Sequence, residues 1–135
     1  MNDALRKILC AEDDPDIRTI LDFSLTGVGG YELCLCANGA EAVERAEAFA
    51  PDLVLLDVMM PTLDGPGAMR ALRAKPAMRD TPIVLMSARA LPDEIETLLA
   101  HGATGVIVKP FDPVALPDNL KIYWNYAHDK RARGT

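Results

Sequence analysis

The chain is poor in the residues that would mark several common functions. Only two histidines stand in its 135 residues, His101 and His128. Neither has a mate at metal-ligand spacing, so both are expected as exposed helix positions. Cysteine is scarce as well: Cys10, Cys34 and Cys36 all fall inside apolar runs. Cys34 and Cys36 share one face of a strand, yet two thiols without further ligands read as small buried residues of a reduced interior. Positive charge is in deficit, 14 Lys and Arg against 20 Asp and Glu, a net −6. That balance argues against a nucleic-acid surface. No apolar run approaches the roughly 20 residues of a membrane span. Met1-Asn2-Asp3 leads almost directly into the first apolar run, leaving no place for a secretion signal, so a cytoplasmic location is expected. Repeats, low-complexity tracts and linkers are missing too. One domain over 1–135 is expected, with a core of about 7–130, a polar, frayed tail from 129 to 135 and no effector domain.

What the chain does contain is four apolar runs that each end in a polar group. Ile8-Leu9-Cys10-Ala11 runs into Glu12-Asp13, and Leu53-Val54-Leu55-Leu56 into Asp57. Ile83-Val84-Leu85-Met86 runs into Ser87, and Val106-Ile107-Val108 into Lys109. Short apolar runs between turn signals read as buried parallel strands. In an open α/β sheet the chemistry sits beyond the carboxyl ends of the strands. Three carboxylates, a hydroxyl and an ammonium are therefore expected on one rim.

Helical periods fill the intervals. Pro15 to Leu25 sets Ile17, Ile20, Leu21 and Leu25 on one stripe. A second strand is expected over Glu32 to Ala37, and Asn38-Gly39 opens a helix with Ala42, Val43, Ala46 and Ala50 inside. Met69 and Leu72 face inward from a helix ending near Ala74, and Ile95, Leu98 and Leu99 from one starting at Leu91-Pro92. The last helix runs from near Pro117 to about Arg131, packing Leu120, Tyr123, Trp124 and Ala127. Strand and helix alternate five times, which predicts a doubly wound parallel sheet with helices on both faces.

A carboxylate can act as nucleophile toward a phosphoryl donor and form an acyl phosphate. The obstacle is charge, since close carboxylate pairs repel by roughly 4 kcal/mol at an effective dielectric near 20. A hard divalent cation removes that penalty, and the all-oxygen set Glu12, Asp13 and Asp57 suits Mg²⁺. Lys109 offers a point charge and Ser87 a hydrogen bond to phosphoryl oxygens. Taken singly, each residue has a plainer reading: a solvated acidic turn, a strand-end cap, a polar loop residue, an ordinary Lys-Pro turn. Their joint placement at the same end of four strands outweighs those readings.

The stretches Ile8-Leu9-Cys10-Ala11-Glu12-Asp13-Asp14-Pro15, Leu55-Leu56-Asp57-Val58-Met59-Met60-Pro61-Thr62-Leu63-Asp64-Gly65, Met86-Ser87-Ala88 and Lys109-Pro110-Phe111 resemble the CheY-like receiver domain of bacterial response regulators. The resemblance covers about residues 7–130. It implies the flavodoxin-like (βα)5 fold with strand order 2-1-3-4-5, for which CheY is a standing example. It also implies Asp57 as phosphoacceptor, with Asp13 and Asp57 on Mg²⁺ directly, Glu12 through water and Met59 through its backbone carbonyl. Ser87 and Lys109 would contact the phosphoryl group, and the bond before Pro110 would be cis. The implied donor is the phosphohistidine of a sensor histidine kinase or histidine phosphotransfer protein, or a small acyl phosphate. The implied readout is an unnamed protein target at the face of helix 4, strand 5 and helix 5, from Leu91 to His101 and around Tyr123 and Tyr126. Neither direct nucleic-acid binding nor membrane insertion is expected, and a monomer or weak dimer is.

This chain departs from the family pattern in three places. Glu12 stands for the commoner Asp, Ser87 for Thr, and Val106 where many receivers carry Tyr or Phe. Output through an aromatic at position 106 is therefore not expected. Met59 and Arg89 hold positions that in the family govern access of the hydrolytic water. Rival readings are a pseudo-receiver that is never phosphorylated, a small Mg²⁺-dependent phosphatase, and an FMN-binding flavodoxin relative. The phosphatase would want a second Asp where Met59 stands. The flavodoxin would want a Gly- and hydroxyl-rich loop where Glu12-Asp13 stands.

Overall fold

Five apolar segments, β1 (Lys7–Ala11), β2 (Glu32–Cys36), β3 (Leu53–Asp57), β4 (Ile83–Ser87) and β5 (Gly105–Val108), form one parallel sheet in the order β2-β1-β3-β4-β5. The order is the one expected. The structure is a computed structural model describing residues 4–89 and 91–134, with side chains through residue 130. Helices α1 (Pro15–Asp22), α2 (Gly39–Phe49), α3 (Gly65–Arg73), α4 (Pro92–Ala100) and α5 (Leu116–Gly134) connect and follow the strands.

Every residue of β3 and β4 is buried, which is why these strands read as unbroken apolar runs rather than alternating ones. The pleat then splits the core in two. Leu9, Ala11, Val54, Leu56, Ile83 and Leu85 pack with Ala42 and Ala46 of α2 and Met69 and Leu72 of α3. Ile8, Cys10, Leu53, Leu55, Val84 and Met86 pack with Leu21 of α1 and Leu116, Leu120 and Trp124 of α5. Each fully buried leucine contributes about 1.5–3 kcal/mol through area removed from water. Arg73 fastens the end of α3 to the far side, donating to the carbonyls of Met78, Arg79, Thr81 and Gly102.

Several local expectations are corrected. The first helix is α-helical only to Asp22; Phe23–Val28 continues as a π-helix, whose wider turn breaks the 3.6-residue stripe. Ile20 is exposed, while Leu21 and Leu25 are buried. Ser24 within the π-helix is buried and donates its hydroxyl proton to the Pro113 carbonyl. Ala50 lies outside α2 as a left-handed cap, φ 53°, and β2 stops at Cys36. Leu99 is exposed, and α4 buries none of its residues fully. The helical backbone of α5 runs through the polar tail to Gly134, beyond the expected end near Arg131. His128 is half-buried rather than exposed, stacking on Trp124 with ring centroids 3.7 Å apart. The expected cis bond between Lys109 and Pro110 is present.

Candidate functional site

The rim residues hang from a continuous hydrogen-bonded frame. Backbone amides carry the ladder one step past the strand ends: Glu12 donates to Cys36 at 3.1 Å, Val58 to Met86 at 2.8 Å and Lys109 to Ser87 at 2.8 Å. Asp14 caps α1 by accepting from the amides of Asp16 and Ile17, which commits its carboxylate to the helix end. Asp64 caps α3 in the same manner, accepting from Gly67. The adjoining Gly65 is required by closeness, since a Cβ there would stand 2.5 Å from the Asp57 carbonyl oxygen. The Asp64-Gly65 signature thus lets α3 start directly behind Asp57.

Four of the expected residues converge. Carboxylate oxygens of Glu12, Asp13 and Asp57 lie within 4.8 Å of one another. Glu12 and Asp57 are buried, 1% and 4% exposed, whereas Asp13 faces solvent. The Lys109 ammonium reaches Glu12 Oε1 at 2.8 Å and Asp57 Oδ1 at 3.2 Å. The other Glu12 oxygen, Oε2, accepts from the Asp14 amide at 3.1 Å. Burial pushes the Glu12 carboxyl above its ordinary value, and the bonds from Lys109 and Asp14 oppose this without reversing it. Burial alone would lower the Lys109 ammonium; its hydrogen bonds and charge contacts with the two carboxylates outweigh that and hold it above the ordinary lysine value.

Ser87 is at the rim and buried, but its hydroxyl is engaged with the following loop. It donates to the Arg89 carbonyl at 2.7 Å and accepts from the Arg89 amide at 3.0 Å. Met59 projects its thioether into solvent, 74% exposed. Two supporting contacts were not expected. Arg18 donates to the Glu12 carbonyl at 2.8 Å, and Arg89 pairs with Glu94 of α4 at 3.1 Å. A basic residue one turn into the helix after the acidic pair was the available signal for the first; the second depends on how the β4–α4 loop folds.

Residues 8–121 match the family described as response regulator receiver domain. The chain belongs to that family. This receiver domain is 39% identical over 121 residues to a probable transcriptional regulator, ycf27, of Porphyra purpurea, matching 90% of this chain and 48% of the relative. It is 37% identical over 105 residues to the transcriptional regulatory protein PrrA of Mycobacterium tuberculosis, matching 78% of this chain and 44% of that one. The chain spans about half the length of the curated relatives it matches. Among solved structures, Vibrio cholerae chemotaxis protein CheY4 superposes with a TM-score of 0.82 at 32% identity, over 89% of this chain and 99% of that one. The receiver domain of the Pseudomonas aeruginosa sensor histidine kinase PA1611 superposes with a TM-score of 0.80 at 34% identity, over 90% and 99%. That structure has a magnesium ion coordinated in its active-site cleft.

The donor set of this receiver domain fits such an ion. It is all oxygen, it gathers three carboxylates against one ammonium, and two of those carboxylates are buried. Excess negative charge in a half-desolvated pocket is what a hard divalent cation relieves. The family places the protein in two-component signalling controlled by phosphorylation.

Proposed function

We propose that Asp57 is the phosphoryl acceptor of this receiver domain and that its modification switches the binding of a protein partner. The observation that carries the reading is the position of Asp57: buried at the end of β3, 3.2 Å from the Lys109 ammonium and grouped with Glu12 and Asp13. In the reaction an Asp57 carboxylate oxygen attacks phosphorus, the bond from phosphorus to the donor breaks, and an acyl phosphate forms. A phosphohistidine donor leaves as imidazole, which takes up a proton; a small acyl phosphate leaves as a carboxylate. Lys109 neutralises charge on the transferred group, and the Ser87 hydroxyl exchanges its Arg89 contact for a phosphoryl oxygen.

Asp13 and Asp57 would hold Mg²⁺ directly, with Glu12 through water and the Met59 carbonyl as a further oxygen. When bound, the ion offsets the repulsion between the incoming phosphate and the carboxylates. The chain catalyses only its own phosphoryl transfer and dephosphorylation. Its donor is a histidine kinase or histidine phosphotransfer protein of the cytoplasm, and its output face is α4, β5 and α5. Among the described residues no helix is long and apolar enough to cross a membrane.

Incubation with Mg²⁺ and a small acyl-phosphate donor, followed by intact-mass measurement, tests the reading. A phosphate-sized gain on the wild type that is lost in Asp57→Ala is the expected result. No gain with that donor or with competent kinases turns the reading to the pseudo-receiver, a binding module of the same fold.

A further inference from the structure

Strand β5 is the edge strand beside β4, and a ring of α5 lies against it more closely than a side chain on the strand would permit. The ring of Tyr123 occupies the volume that a Cβ on Gly105 would fill: such an atom would stand 2.2–2.5 Å from three ring carbons. Glycine at 105 is therefore a condition of this packing. One residue on, the Val106 carbonyl accepts the Tyr123 hydroxyl at 3.3 Å. Ring and hydroxyl together seat α5 against two consecutive residues of β5.

The same strand leads at its other end into Lys109, which is shared between Glu12 and Asp57. The Lys109 amide is bonded to the Ser87 carbonyl, so the ends of β4 and β5 are joined behind the site. On the outer side, Tyr123 lines a groove of about 1140 Å³ with Ile95 and Leu99 of α4 and Ile122 and Tyr126 of α5. The α4 wall is the weakly held one, since none of its residues is fully buried. Elements with little buried area are the ones that move when an equilibrium is biased.

We infer that Tyr123 is a positioning residue that couples the Lys109 end of β5 to the groove between α4 and α5. The inference rests on the acceptor reading of Asp57. A phosphoryl group there replaces the single carboxylate charge of Asp57 with up to two on its own oxygens and brings three acceptor oxygens within reach of Lys109, changing what Lys109 holds. With no free volume between the Tyr123 ring and Gly105, a displacement of β5 must shift the ring or open its bond to Val106. Either event reshapes the groove wall. The signal thereby reaches the α4–α5 surface through an aromatic on α5, which β5 meets with Gly105 and the Val106 carbonyl.

The test compares wild type with Tyr123→Phe, which keeps the ring and drops the hydroxyl, and with Gly105→Ala, which displaces the ring. Each protein is loaded with a small acyl phosphate and Mg²⁺, loading is read by intact mass, and methyl resonances of Ile95, Leu99 and Ile122 are followed by NMR. Equal loading is expected throughout, with the shifts on loading about twofold or more smaller in Tyr123→Phe than in wild type. Equal shifts in the two proteins overturn the inference. Tyr123→Phe decides the matter even where Gly105→Ala fails to fold. If the wild type takes up no phosphoryl group, the acceptor reading falls and coupling is judged on unloaded Lys109→Gln. Movement of the Tyr123 ring resonances in that variant upholds the coupling, and unchanged ring resonances overturn it.

Discussion

Lys109 and Glu12, 97 positions apart in sequence, meet at 2.8 Å as the closest ion pair of the site. Their contact decides how the pocket behaves before any ligand arrives. Glu12 is almost completely buried and Lys109 largely so, which makes loss of one partner costlier than loss of a surface pair. Lys109→Ala removes the ammonium that bonds both buried carboxylates, Glu12 and Asp57. We expect it to lower stability by about 3 kcal/mol in metal-free buffer. Added Mg²⁺ should raise the melting temperature of Lys109→Ala more than that of the wild type, because the ion then supplies the missing compensation. Equal increments in the two proteins would count against the electrostatic account.

Met59 stands clear of the pocket as an exposed apolar side chain two residues past Asp57. A thioether there offers an attacking water no strong hydrogen bond. Met59→Asn, whose amide can orient water, is expected to shorten the lifetime of the phosphorylated form severalfold without changing the rate of loading. Decay is followed by intact mass after removal of donor, and an unchanged decay constant sinks the idea.

The thiols differ in burial, and their chemistry should follow. Burial pushes Cys10 well above the ordinary thiol value of 9.0 and raises Cys36 too, while Cys34 is half-buried with the Arg45 guanidinium 3.9 Å from its sulfur. Native protein treated with iodoacetamide should label at Cys34 first, as read by peptide mass. A linkage effect accompanies the shifts. Above pH 9 the unfolded chain ionises Cys10 and Cys36 while the native one keeps them protonated, so stability must fall as pH rises. Replacing Cys10 with Ala should flatten that alkaline decline in denaturant titrations, and an unaltered slope would mean that other groups govern it.

Much of the site was legible because its residues terminate apolar runs. A strand buried on both faces reads as an apolar run, so Asp57 stood out as the polar group that ends β3, and Lys109 as the first polar group after the apolar β5. The strand order followed from family resemblance rather than from periodicity. What the pattern could not supply were features set by distance across the fold. The π-helix from Phe23 to Val28 sits in a sequence whose apolar spacing continues the helical period, and only the buried contact of Ser24 with Pro113 marks it. The exposure of Leu99 reflects a helix lying loosely over the sheet, which its apolar stripe does not disclose. The Tyr123–Gly105 fit depends on how α5 crosses β5, and neither residue announces it alone.

The Ser24 contact has a consequence for the rim as a mechanical object. Asp14 begins α1, and the π-helix that finishes the same rod is fastened to Pro113, shortly after Lys109 in the loop leading to α5. The acidic turn and the basic turn are thus carried by a single strut. Thermal motion of that strut should carry anions and cation together, so an arriving phosphate meets a spacing already set.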